Sequence, residues 1–346
     1  MPQTRRFVPD SGRLLALLAV IVLGVLTTVG SGGGGGGGGS TAPTSLTYTG
    51  VTTPAAVDQS NAQTLVAAAL QGGSAGTLVT GAVELPGPAA RSGEPRVIGL
   101  VDLLKGSLER IDFTLAGGTT VSGTLVPYSE TIPSPYGTGS LILSFTYDDQ
   151  TGSFSGTATY NNYCEDADSC VNGESGFSGQ LDLTVSPPEL ESAQFTFPLL
   201  SVTDNGIAYQ MSGAIGMIVQ SPTQTQVTMS AVIGDSSGTY KIDNYVYLVT
   251  DYTTYVEVAQ SAGRFYHPTY GYVEVKTLAS LLYHLVSNVV ATWPYQGEFE
   301  IDGASSTKAL LTALSDDVNV TPQWQLQLDN GSGVLLPLSS GDWVDL

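Results

Sequence analysis

With 31 acidic against 11 basic side chains in 346 residues, the chain carries a net charge of −20. A field of that sign repels phosphate backbones, so no nucleic-acid partner is expected, and direct adsorption to anionic lipid is disfavoured as well. A hydrophobic content of 42% with 12% charged residues supplies a real core and excludes global disorder.

Residues 1–30 read as a signal peptide or N-terminal anchor. Arg5, Arg6 and Arg13 form a positive start, the run Leu14 to Gly30 carries no charge, and Thr28-Val29-Gly30-Ser31 offers small residues to a signal peptidase. Cleavage after Gly30 is the preferred outcome and retention as an anchor the other; the membrane is then touched only through this segment. Acylation would need a cysteine where Ser31 stands. The expected location is the periplasm or cell surface of a bacterium. Residues 31–45 form a flexible tether, because the eight glycines Gly32 to Gly39 can bury nothing and lose the most backbone entropy on ordering.

Residues 46–346 read as a single β-rich domain. Two amphipathic helices are predicted near its start, at about 58–71 and 96–110. The first has Asp58-Gln59-Ser60-Asn61 as caps, an Ala-rich body from Ala62 to Leu70, and Gly72-Gly73 as a stop. The second has Val97, Leu100, Val101, Leu104, Leu108 and Ile111 at helical spacing after Pro95.

From about Thr119 the hydrophobic period becomes two. Leu141, Leu143, Phe145 and Tyr147 alternate with Ser140, Ile142, Ser144 and Thr146, and Phe154, Gly156, Ala158 and Tyr160 with Ser153, Ser155, Thr157 and Thr159. The same pattern returns at Phe195/Phe197/Leu199, Val227/Met229/Ala231 and Ile242/Tyr245/Tyr247. Turn residues at 148–152, 204–206 and 234–238 separate these runs. Short turns between such strands imply antiparallel neighbours. The predicted class is therefore mainly β: a large antiparallel up-and-down curved sheet, half-barrel or barrel-like, its apolar face covered by the two helices. A transmembrane barrel shares the alternation with the faces reversed. Leu278 to Ala291 fits helix and strand about equally.

Cys164 and Cys170, the only cysteines, are expected to pair in an oxidising compartment. Between them Glu165, Asp166 and Asp168 make the densest acidic spot, a weak Ca²⁺ candidate that lacks the EF-hand spacing. Gly-x-Ser-x-Gly occurs at 72–76 and 234–238, but neither lies between a strand and a helix as a nucleophile elbow must. His267 and His284, the only histidines, have no His-Glu-x-x-His partner pattern. No catalytic or cofactor-binding residue is assigned. The most distinctive stretch is Gly263 to Val275, an aromatic hairpin with Pro268 and Gly271 at its turn. Phe265, Tyr266, His267, Tyr270 and Tyr272 could there form a binding surface that stacks on sugar rings or meets a partner; the competing reading packs them on the sheet edge.

Four motifs carry a resemblance. They are Tyr48-Thr49-Gly50 with Ser60-Asn61-Ala62, Tyr160-Asn161-Asn162-Tyr163-Cys164, Gly263 to Val273, and Gly303 to Ala309. On these the chain resembles a group of uncharacterised exported bacterial β-rich proteins with a poly-Gly tether. The likeness implies export and a β fold, and no activity. Asp329-Asn330-Gly331-Ser332-Gly333 stands where such proteins often carry a more acidic, calcium-like loop. The leading functional expectation is a non-enzymatic envelope or surface protein that is structural or binds a partner. A carrier of an apolar or lipid ligand between sheet and helices comes second, and an outer-membrane barrel third.

Overall fold

The computed structural model describes residues 45–80, 125–164, 170–185, 188–204, 207–235, 238–286, 289–290, 293–314, 323–343 and 346. The second expected helix, 96–110, and the acidic residues Glu165, Asp166 and Asp168 lie outside the described residues. One helix, α1 (Ala62–Thr80), precedes a succession of strands. These are β1 (Leu125–Pro133), β2 (Ser140–Asp148), β3 (Ser153–Cys164), β4 (Cys170–Asp182), β5 (Glu189–Asp204), β6 (Ile207–Ser221), β7 (Gln224–Asp235) and β8 (Gly238–Asp251). After them come β9 (Tyr255–His267), β10 (Gly271–Val286), β11 (Val289–Val290), β12 (Gln296–Asp302), β13 (Thr307–Ala313), β14 (Gln323–Asn330) and β15 (Leu336–Asp342).

Each strand pairs antiparallel with its neighbours in the chain, giving one up-and-down sheet; only the two-residue β11 stands off this path, paired to β10. The sheet is not closed, and β1 and β15 are its edges. The alternation read from the sequence sets its two faces. Leu141, Leu143, Phe145 and Tyr147 are buried while Ser144 is exposed, and Phe154, Ala158 and Tyr160 are buried while Ser153, Ser155 and Thr157 are exposed. The ambiguous segment is strand where it is described, since β10 runs to Val286 and Val289–Val290 form β11.

The three-residue spacing of Ile242 and Tyr245 marks a bulge. Asn244 takes positive φ (52°), its N–H donates to Ser230 Oγ (3.0 Å), and the register with β7 shifts there, so both large side chains point inward. Equivalent shifts occur between Phe197 and Leu200 of β5 and between Val273 and Leu281 of β10.

The first helix departs from expectation in two respects. It runs through Gly72-Gly73 to Thr80 rather than stopping near residue 71. It is also buried on more than one side: Ala62, Leu65, Val66, Ala67 and Ala69 are buried, and from Ala62 to Leu70 only Thr64 is exposed. An all-round apolar helix belongs in an interior rather than on a surface. Gly72 serves close packing, for a Cβ there would lie 3.1 Å from the Phe265 ring. At the start of the helix, Asp58 Oδ1 accepts from the Ser60 amide (2.8 Å) and hydroxyl (2.6 Å), and Asn61 Oδ1 accepts from the Asp58 amide (2.9 Å).

Candidate functional site

A strap formed by residues 46–57 crosses the strand ends before α1 begins. Val51 N–H donates to Pro268 O, Ala55 N–H to Tyr272 O (2.8 Å), Tyr272 N–H to Thr53 O (3.0 Å), and Ala304 N–H to Ala55 O (2.7 Å). Val57 N–H donates to Thr307 Oγ1 (3.0 Å). The strap has the sequence it needs at its crossings. Gly271 has φ +100°, and a Cβ there would meet Thr53 O at 2.2 Å; at Gly303 one would meet Ala55 O at 2.4 Å.

The aromatic hairpin lies under this strap. Phe265 points into the core, 1% exposed, on the far side of a bulge at Ser261 and Ala262 that inverts the phase of β9. Tyr266 is covered edge-on by Tyr48 (5.6 Å between ring centres) and flanked by Tyr272 (5.2 Å), and the Tyr48 hydroxyl reaches Val51 O (2.8 Å) and His267 O (3.0 Å). His267 sits between Tyr240 and Tyr270 and accepts the Thr269 N–H at Nδ1 (3.2 Å). Burial lowers the His267 pKa, so the neutral ring that this bond requires is favoured. Of the five residues expected to form a binding surface, Phe265, Tyr266 and His267 are buried and only Tyr270 and Tyr272 are partly open. The burial has a physical cause: a β-bulge at Ser261 and Ala262 inverts the phase of β9 and turns Phe265 inward, and the chain's own strap occupies the hairpin.

The other sequence candidates lie apart. His284 stacks on Tyr295 (3.8 Å, 11°). It faces Tyr255 across β9 and β10, at the opposite end of that hairpin from His267, which faces Gly271. Gly234 lies near the end of β7 and Gly238 opens β8, paired with Asp235. Cys164 and Cys170 form the expected disulfide (2.06 Å) and face each other across β3 and β4. Ser134 ties the β1–β2 turn to it, its hydroxyl donating to Cys164 O (2.7 Å) and accepting the Cys164 N–H (2.9 Å). The Asp329 carboxylate takes N–H groups from Gly331 (2.9 Å) and Gly333 (3.0 Å), which makes it the staple of the β14–β15 turn. Among the described residues no group of three or more His, Cys, Asp or Glu could hold a metal ion.

Two polar groupings were not anticipated. On the outer face, the four cations among the described residues, Lys241, Arg264, Lys276 and Lys308, lie on β8, β9, β10 and β13. Lys276 is 2.9 Å from both Glu300 and Asp302, and Lys308 is 3.3 Å from Glu300 and 2.7 Å from Asp302, a closed square of charges. Arg264 pairs with Glu274 (2.6 Å) and lies over the Tyr272 ring, and Lys241 lies over Tyr266.

On the inner face, β8 and β9 bring Tyr247 directly opposite Gln260, 3% and 4% exposed. Tyr245 stands two residues away on β8, its ring 5.7 Å from that of Tyr247, with its hydroxyl donating to Ala69 O of α1 (3.2 Å). Gly263 makes room for it, since a Cβ there would meet the Tyr245 ring at 2.3 Å. Neither Tyr247 Oη nor Gln260 Nε2 has a hydrogen-bond partner among the described residues. Burial holds the phenols of Tyr245, Tyr247 and Tyr283 above the usual tyrosine value, so each remains a protonated donor. The sequence signal was available: Val256, Val258 and Gln260 share one phase of β9, and the third is polar. Compared with protein-family models, curated proteins and solved structures, the chain shows no match.

Proposed function

We propose that the protein is a non-enzymatic component of the bacterial cell envelope that carries an apolar ligand between the apolar face of its sheet and the segments laid on that face. The observation that carries this reading is the breadth of the apolar face, whose buried side chains form one cluster from Leu141 of β2 to Leu328 of β14. Fourteen strands form the continuous sheet, at about 4.8 Å per strand. Among the described residues the cover is α1, which lies against β8, β9 and β13 and is about 10 Å wide. A sheet of this width buries its apolar face by curling into a half-barrel or barrel-like shell, with the bulges in β5, β8 and β10 as its bending points. Such a shell encloses an apolar interior suited to a ligand. The helix packs into the interior through Ala62, Leu65, Val66 and Ala69, all fully buried. The two histidines, taken up by ring packing at opposite ends of one hairpin, support a binding role over a catalytic one. The Arg5/Arg6/Arg13 leader and the glycine tether support export. Native mass spectrometry of the full chain after mild extraction tests the carrier reading: a co-purified lipid-sized adduct is expected, and a clean protein mass that takes up no acyl compound would remove it.

A second reading, a structural or partner-binding role through the outer face, has its own support. Ser129, Ser144 and Thr157 stand in one row across β1–β3, as do Pro127, Thr146 and Ser155. An open groove of ≈380 Å³ lies over them, and another of ≈500 Å³ lies over Thr196, Ser212, Ser230 and Lys241. Arginine substitutions at Ser144 and Ser230 would abolish retention by envelope fractions if this face binds, and unchanged retention would discard it. The polarity of the faces speaks against an outer-membrane barrel, since lipid requires apolar side chains where these hydroxyls are.

A further inference from the structure

We infer that Tyr247 and Gln260 form an internal site for a neutral hydrogen-bond acceptor, the ester or amide carbonyl of an uncharged acyl lipid. The inference rests on the carrier reading and supplies its polar anchor. The two residues face each other on adjacent strands, point into the interior and are at least nine-tenths buried. Their side-chain donors, Tyr247 Oη and Gln260 Nε2, have no partner among the described residues. An unsatisfied buried donor costs about 1–3 kcal/mol, and native interiors rarely retain one. Two such donors on directly opposed residues of one face call for an occupant that accepts hydrogen bonds there.

The surroundings narrow the class. Gln260 is fixed by its backbone: Thr277 Oγ1 accepts its N–H (3.0 Å) and donates to its C=O (3.2 Å), while the side-chain Nε2 has no partner among the described residues. The neighbouring inward residues Val249, Val258 and Leu281 are apolar and buried. Tyr245, beside them, is already satisfied by α1. Both free donors are uncharged, and the four described cations all stand on the opposite face of the sheet, in ion pairs. A buried carboxylate or phosphate would have no counter-charge there and would be strongly disfavoured. A carbonyl carries two lone pairs and no charge, and its acyl chain matches the lining.

The test uses the full chain, stripped of bound lipid, with Tyr247→Phe, Gln260→Leu and the double variant. Binding is read with a neutral fluorescent diacylglycerol analogue and with a fluorescent fatty acid that presents a carboxylate. The double variant is expected to bind the neutral probe about tenfold more weakly or worse, as loss of two modest hydrogen bonds implies. The wild type is expected to prefer the neutral probe to the carboxylate. Melting temperatures of the lipid-free variants should match or exceed that of the wild type, because an apolar group then replaces an unpaired donor. Equal binding of the neutral probe by wild type and double variant would overturn the site while leaving the carrier reading intact. Lowered melting temperatures without loss of binding would show that a buried water occupies the position, and would also overturn it. Failure of the wild type to bind either probe would take down the carrier reading itself.

Discussion

Single residues decide where the strap can lie. Gly271 occupies the left-handed region with Thr53 O pressed against its α-carbon, so a side chain there is opposed by conformation and by contact. Gly271→Ala should lower stability by about 2 kcal/mol, measured by chemical denaturation. A change below a few tenths would mean that the strap yields without cost. At this scale the sequence was partly legible. Gln260 betrays itself as a polar residue in the apolar phase of β9, and the interval from Ile242 to Tyr245 betrays the bulge. The burial of Tyr266 was not legible, because it depends on Tyr48, far off in the chain, and no local pattern encodes that meeting. The motifs at 48–50, 263–273 and 303–309 are parts of one junction, joined through the strap.

Cross-strand pairs are the energetic units of the elements, and the square formed by Lys276, Glu300, Asp302 and Lys308 is the densest of them. Burial would raise the Asp302 carboxyl, but hydrogen bonds from Lys308 and Lys276 outweigh it and hold the group below the usual carboxylate range. Hydrogen bonds, first to Asp302, raise both lysines. A depressed carboxyl contributes stability above its unfolded pKa of about 3.9 and loses it as pH falls through the folded value. A raised lysine contributes below about 10.4 and loses its share as pH rises through the folded value. The square therefore stabilises the sheet between these limits. Lys276→Met should cost about 1–2 kcal/mol at pH 7, discounted because Lys276 is 39% exposed. The gap from the wild type should shrink as the pH is lowered below about 4; a gap that persists at pH 3 would contradict the assignment. The disulfide acts on a different element, the β3–β4 hairpin. Replacing Cys164 and Cys170 by serine should cost about 2 kcal/mol through loop entropy, with a lower melting temperature as the readout and no change as the refuting result. The helix shows the limit of element-level reading: its cap and Ala-rich body are local features, whereas the close approach of Gly72 to the Phe265 ring is a tertiary contact.

The meander was legible for the whole molecule because each strand pairs with its chain neighbours, so alternation and turn residues contain nearly all the topology. Its consequence for dynamics is that protection should follow distance from the two edges. In β1 residues are alternately exposed and half-buried, and β15 contains no buried residue. Met211 and Ile215 of β6 and Ile242 and Tyr245 of β8 are fully buried. Amide hydrogen exchange should therefore be fastest in β1 and β15 and slowest from β5 to β9, since local opening follows the density of buried contacts. The strap is the informative exception. It lies outside the sheet and has no hydrophobic period, yet it joins residues 219 to 250 positions apart in the chain. If it closes the fold, the Ala55 amide, bonded to Tyr272 O, should exchange as slowly as the central strands rather than as a loop. Loop-like exchange at Ala55, or equal protection of β1 and β7, would show that the interior is held together by something other than central burial and this crossing.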